Sequence, residues 1–156
     1  VGYTSYRQRF TALELHNDQN GVTADDELLN ELEPAFILSE AHHSQLKSRL
    51  HHLLENERIY TQKDLRIGEV SALLNTNRTY VSRVINQEYG KSFSDLINFY
   101  RFKDAHTMLI AKEYALLSVS EIAQRAGFQS ESSFYRIFKK ETGMSPGDWR
   151  KINFTK

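Results

Sequence analysis

Cysteine is absent from the 156 residues, which excludes disulfides and thiolate metal sites and fits a reducing cytoplasm. Proline occurs only at Pro34 and Pro146, so long stretches are free to be helical. No apolar run approaches the ~18 residues of a membrane span, and no secretory signal is visible. Strand signals are scarce: no alternating β-branched run is bounded by turn residues. A phosphate-binding loop, a nucleophile elbow and HExxH are all missing, so neither an enzyme nor a cofactor is expected. His42-His43 and His51-His52 lie nine residues apart on one predicted helix. Metal ligands on one helix sit at i, i+3 or i, i+4, and nothing completes a shell, so no metal site is expected.

What is present is divided by charge. The formal net charge is zero, yet residues 1–57 hold four Lys/Arg against ten Asp/Glu, and residues 58–156 hold sixteen against ten. A nucleic-acid binder concentrates cations on its contact surface, which makes the C-terminal hundred residues the candidate.

Helical spacing dominates the chain. Residues 15–34 are acidic, contain Asn20-Gly21, and read as a flexible or weakly helical linker ending at Pro34. A helix is predicted over 39–56, with Leu46, Leu50, Leu53 and Leu54 on one stripe. A short helix at 67–74 should bury Ile67, Val70, Leu73 and Leu74. Residues 78–89 form another helix before Gly90. A long helix spans 93–114, with Leu96, Ile97, Tyr100, Ala105, Met108 and Leu109 as its apolar positions. Ser118 and Glu121 make a capping box for a helix over 119–126. Residues 130–142 form a helix before Gly143, and Ser145-Pro146 opens a last one, with Asp148 at its third position. The expected fold is all-α, of about seven helices.

The most informative feature is an internal repeat. Glu69 and Val70 match Glu121 and Ile122, 52 positions on. After one added residue, Arg83/Arg136, Glu88/Glu141, Gly90/Gly143, Ser92/Ser145 and Asp95/Asp148 are identical pairs. Each copy has a short helix, a turn led by Asn75 or Gly127 (types that tolerate the left-handed conformation), an N-cap (Asn77, and Gln129 or Ser130), and a second helix. In that helix Val81, Val84 and Ile85, or Phe134, Ile137 and Phe138, point inward. Thr79, Ser82, Arg83 and Asn86, or Ser132, Tyr135, Arg136 and Lys139, point outward. Major-groove readout uses such a set: arginine grips guanine, asparagine grips adenine, and hydroxyls adapt. A lone exposed arginine is more often a solvated surface group, and Arg83 could pair with Glu88. Recurrence at one place in two copies favours the functional reading.

These residues resemble the AraC/XylS-type bacterial regulators over about Leu46–Lys151. The second copy is the more specific part, with Ile122-Ala123, Gly127-Phe128, Ser132, Phe134, Arg136, Phe138-Lys139-Lys140, Gly143, Ser145-Pro146 and Trp149-Arg150. Tyr80-Val81-Ser82-Arg83, Gly90-Lys91-Ser92-Phe93 and the linker motif Arg101, Ala105, Met108-Leu109 agree. Asn75 departs from the usual turn glycine, Ser71 from a small alanine, Trp149 from tyrosine and Tyr135 from a small residue. The resemblance implies base readers at Arg78, Thr79, Ser82 and Arg83, and at Glu131, Ser132, Tyr135 and Arg136. Asn86 joins them by periodicity. Asn77 and Ser130 at helix N-termini, with Lys139 and Lys140, are expected at phosphates.

Two recognition helices must lie about one duplex turn apart, ~34 Å, and a linker of about 20 residues spans ~30 Å. The expected organisation is an extension over 1–38 and a DNA-binding domain over 39–156, with helix-turn-helix units at 65–90 and 118–143 joined by the helix at 93–114. Double-stranded DNA is the expected partner, with RNA polymerase and a homodimer through a region outside the chain beside it. The chain starts at Val1 with a polar stretch, so the expectation is the cytoplasmic output part of a larger sensor. The competing reading is a helical protein-interaction module without DNA affinity, for which the acidic residues 1–57 are the natural surface.

Overall fold

The computed structural model describes the backbone of residues 24–154 and side chains from residue 40. Seven α-helices and two short 3-10 turns make up the described residues, with no strand among them. The helices are α1 (Ala24–Glu55), α2 (Ile67–Leu73), α3 (Arg78–Tyr89), α4 (Phe93–Ile110), α5 (Val119–Arg125), α6 (Glu131–Thr142) and α7 (Pro146–Phe154). The chain divides into Val1–Ser39 and Glu40–Lys156, and the packing below is that of the second unit. Asn20-Gly21 and the first part of the expected linker lie outside the described residues.

Helix α1 begins at Ala24 rather than Ser39 and continues through Pro34. The run ADDELLNELE is rich in strong helix formers. A proline removes one donor from such a helix but does not end this one. From Leu46 onward the helix presents the expected stripe: Leu46, Leu50, Leu53 and Leu54 are all buried.

Two apolar cores follow. The first joins that stripe to Ile59, Tyr60, Leu65, Val70, Leu74, Val81, Val84, Ile85, Leu96, Ile97 and Tyr100. The second joins Ala105, Met108 and Leu109 to Ile122, Ala123, Ala126, Phe128, Phe134, Ile137 and Phe138, with Trp149 against it. Helix α4 belongs to both, its first half in one core and its second half in the other. Each deleted Leu or Phe in such a core costs about 2–5 kcal/mol.

Two details differ from the sequence pattern. Leu73 is 52% exposed. The inward stripe of α2 is Ile67, Val70, Ser71 and Leu74, at i, i+3, i+4 and i+7, and Ser71 is buried with its hydroxyl donating to the Gly68 carbonyl at 2.8 Å. The second difference is that α4 stops at Ile110, after 18 residues, and a 3-10 turn covers Lys112–Tyr114. The turn that follows is held by Arg150 of α7, which donates to the carbonyls of Tyr114, Ala115 and Leu117. A helix of this length spans ~27 Å.

Candidate nucleic-acid interface

Each unit is a seven-residue helix, a tight turn and a twelve-residue helix. In the first, Asn75 holds the turn in the left-handed region at φ 52°. Asn77 then caps α3, its Oδ1 accepting from the Tyr80 N–H at 3.0 Å. In the second, Ser118 and Glu121 form the capping box of α5. This bonding to Ser118 holds the Glu121 carboxyl below the usual carboxylate range. Ser130, not Gln129, caps α6 by accepting from the Ser133 N–H at 3.2 Å. Capping uses the acceptor oxygens of Asn77 and Ser130 and leaves the amide N–H groups of Asn77 and the hydroxyl hydrogen of Ser130 to donate.

The faces of α3 and α6 separate cleanly. Val81, Val84 and Ile85 are buried, as are Phe134, Ile137 and Phe138. Arg78, Thr79, Ser82, Arg83 and Asn86 are all exposed on α3, and Glu131, Ser132, Tyr135 and Arg136 on α6. Lys139 and Lys140 are exposed in the last turn of α6, where a cation also suits the helix dipole.

Within these rows the side chains are not equivalent. The Arg83 guanidinium lies over the Tyr80 ring, 5.5 Å from its centroid, and that ring meets His42 of α1 at 5.8 Å. Glu88 is taken by Lys47 and by His43, the latter at 3.1 Å. Lys47 foremost holds its carboxyl below the usual range, so Glu88 is not the partner of Arg83. Arg78 folds back over the first turn of α2: a Cβ on Gly68 would sit 3.0 Å from its Nη2. Tyr135 is 37% exposed and stands edge-on to Phe134. Asn86 and Arg136, one from each helix, line a single cleft of about 310 Å³ with Lys91, Asn98 and Lys140. One residue of each row therefore borders a shared concavity.

The positive charge counted from the sequence is partly spent inside the fold. Arg49 donates to the Leu73 and Leu74 carbonyls at 2.9 and 3.0 Å, Arg150 binds three carbonyls of the 114–117 turn, and Arg58 pairs with Asp104. Arg101 is 7% exposed and donates to the carbonyls of Tyr60, Gln62 and Lys63. Burial lowers its pKa, yet a guanidinium stays charged, so it is a strut. The sequence pattern flags Arg101 only as a linker-helix residue, because spacing along one helix does not reveal which distant carbonyls it meets. Among the described residues no cluster of His, Cys, Asp and Glu is placed to hold a metal ion, and no helix is long and apolar enough to cross a membrane.

Paired helix-turn-helix units with solvent-facing second helices define a DNA-binding architecture. Residues 70–152 match the family model described as "Helix-turn-helix domain". The chain is similar to the xylose operon regulatory protein of Escherichia coli, 26% identical over 58% of this chain and 22% of that protein. It is also similar to the HTH-type transcriptional regulator YtdP of Bacillus subtilis, 27% identical over 72% of this chain and 14% of that protein. Among solved structures, the C-terminal domain of the response regulator AraT from Geobacillus stearothermophilus aligns with TM-score 0.57 and 31% identity, over 71% of this chain and 84% of that one. The C-terminal domain of the response regulator yesN from Fusobacterium nucleatum aligns with TM-score 0.56 and 27% identity, over 65% and 98%. The chain belongs to the AraC/XylS-type helix-turn-helix family of DNA-binding transcription regulators. It spans between 14% and 22% of the length of the two curated relatives.

Proposed function

We propose that the unit reads a specific DNA site with two helices, α3 and α6, laid in successive major grooves on one side of the duplex. The observation that carries this reading is the exposure of matching polar rows on both helices, each with an arginine at the repeat-equivalent position, Arg83 and Arg136. Arg78, Thr79, Ser82, Arg83 and Asn86 address base edges from α3. Glu131, Ser132, Tyr135 and Arg136 do so from α6, with Glu131 suited to the amino group of cytosine. The spare donors of Asn77 and Ser130, with Lys139 and Lys140, bind phosphates and fix the register.

Residues 39–156 form this reading domain and residues 1–38 an extension from it. Its proposed partners in the cytoplasm are RNA polymerase, for which the acidic residues 1–57 are the suited surface, and a second copy of the protein met through a region outside the chain. Selection from random double-stranded oligonucleotides tests the reading. One motif is expected, with two half-sites about 10–10.5 base pairs apart. A pool that stays random after several rounds overturns it.

A further inference from the structure

The segment between α1 and α2 touches both helix-turn-helix units. Ile59, Tyr60 and Leu65 lie in the first core. The same segment abuts the second unit at Gly127, the turn residue ahead of α6. A Cβ there would stand 2.6 Å from the Tyr60 carbonyl oxygen, 2.7 Å from Thr61 Cα and 2.8 Å from the Thr61 oxygen. All three are backbone atoms and none can rotate away. The φ of +96° disfavours a side chain independently.

Two residues on, Gln129 donates through Nε2 to Asp64 Oδ1 at 2.7 Å. Gln129 directly precedes Ser130, the N-cap of α6, and Asp64 lies two residues before Arg66, the N-cap of α2. The bridge therefore joins the start of the first unit to the start of α6, the second helix of the second unit. Arg101, in the stretch of α4 between the two cores, holds the segment from below: it donates to the carbonyls of Tyr60 and Gln62, both at 2.7 Å, and of Lys63 at 3.3 Å. Arg58 adds its pairing with Asp104 of α4.

A connecting helix sets how far apart two bodies lie, but the joints at its ends leave each body room to swivel about it. A second link closes the frame. Resting on the proposed two-groove reading, we infer that residues 58–65 act as a spacer that sets the offset between α3 and α6, and so the half-site spacing the protein accepts. Gly127, Asp64 and Gln129 are its positioning residues. One base pair more or fewer between half-sites rotates one half-site by about 34° and moves it ~3.4 Å, given 10–10.5 base pairs per turn of ~34–36 Å. A closed frame cannot follow that change, whereas a single helix with loose ends can.

The test uses the full chain and the selected operator, with versions carrying one base pair inserted or removed between half-sites. Asp64 and Gln129 are exposed, so Asp64→Ala and Gln129→Ala should melt like wild type. Each should lower the preference for native over altered spacing by about tenfold, as loosened linkage reduces effective concentration at the second site. Asp64→Asn keeps an acceptor oxygen and should keep the wild-type preference. Gly127→Ala should act more strongly if it folds.

The chain has no cysteine, so spin labels at Gln87→Cys on α3 and Glu141→Cys on α6 report the helix separation without DNA. The distance distribution should be narrow, and broader in the Asp64→Ala, Gln129→Ala background. An unchanged distribution, or a spacing preference equal to wild type in the alanine variants, overturns the inference. A failed selection counts against the two-groove reading, and the label distances still judge the frame.

Discussion

Arg83 rests on the face of Tyr80, its guanidinium carbon 5.5 Å from the ring centroid, and His42 stands against the same ring. A reading side chain that is already oriented loses less freedom on binding. Tyr80→Ala should therefore weaken operator binding by about 0.5–1 kcal/mol, the size of an exposed cation–π contact, chiefly at the base that Arg83 addresses. Tyr80→Phe keeps the ring and should bind like wild type. Titrations on operators substituted base by base decide it. A uniform loss on all of them would make Tyr80 a plain structural residue.

Arg136 and Lys140 line the same cleft yet should fail differently. Arg136→Ala should cost about 1–3 kcal/mol and relax preference at one base pair. Lys140→Ala should weaken binding alike on every sequence and flatten the salt dependence by about one unit of slope. Equal losses on operator and random DNA for Arg136→Ala would remove it from the readers, and the same outcome for Arg83→Ala would remove Arg83.

Arg101 is a test of stability. Its three carbonyl acceptors lose their donor on substitution, and hydrogen bonds to charged groups contribute about 1.5–3 kcal/mol each with poor additivity. Arg101→Ala should destabilise the domain by roughly 3–5 kcal/mol in urea melts, since each acceptor left without its donor costs about 1–3 kcal/mol. Arg101→Lys should not restore it, since an ammonium lacks the planar fork that reaches separated oxygens. A wild-type melt for Arg101→Lys would contradict this.

His106 makes the second core sensitive to acid. Its ring packs against Trp149, Phe102 and Phe138, and burial lowers its pKa from the ordinary 6.5. The unfolded chain then binds the proton more readily than the folded one. Its contribution to stability is intact above 6.5 and is lost as pH falls from 6.5 through the lowered folded value. Melting temperature should drop on acidification through that window, and His106→Phe should remove that part of the drop. A pH profile unchanged by the substitution would mean other groups carry it.

The legible part of the molecule was whatever repeats locally. The doubling at offsets of 52 and 53, the N-cap Asn77, a second N-cap at Gln129 or Ser130 (the fold uses Ser130), the turn residues Asn75 and Gly127, and the inward triplets of α3 and α6 follow from periodicity and backbone preference, and each appears in the fold. The departures from that pattern are of helical phase or have a tertiary cause. Leu73 looked buried because it is apolar, whereas the slot belongs to Ser71. Helix α4 ends at Ile110 although no proline or glycine interrupts the residues up to Tyr114, and the turn after it is held by Arg150, about 35 residues away.

By itself the amino-acid order determined how many helix-turn-helix units there are and which face of each second helix meets solvent, since both depend on neighbours three and four positions apart. Tertiary packing alone decided which cations stay exposed and how the two helix-turn-helix units are held. Arg101 and Arg150 point to backbone carbonyls, and Gly127 sits on the backbone of Tyr60 and Thr61. Carbonyls are the same at every position of a chain, so no pattern of side chains marks which of them a distant residue will meet.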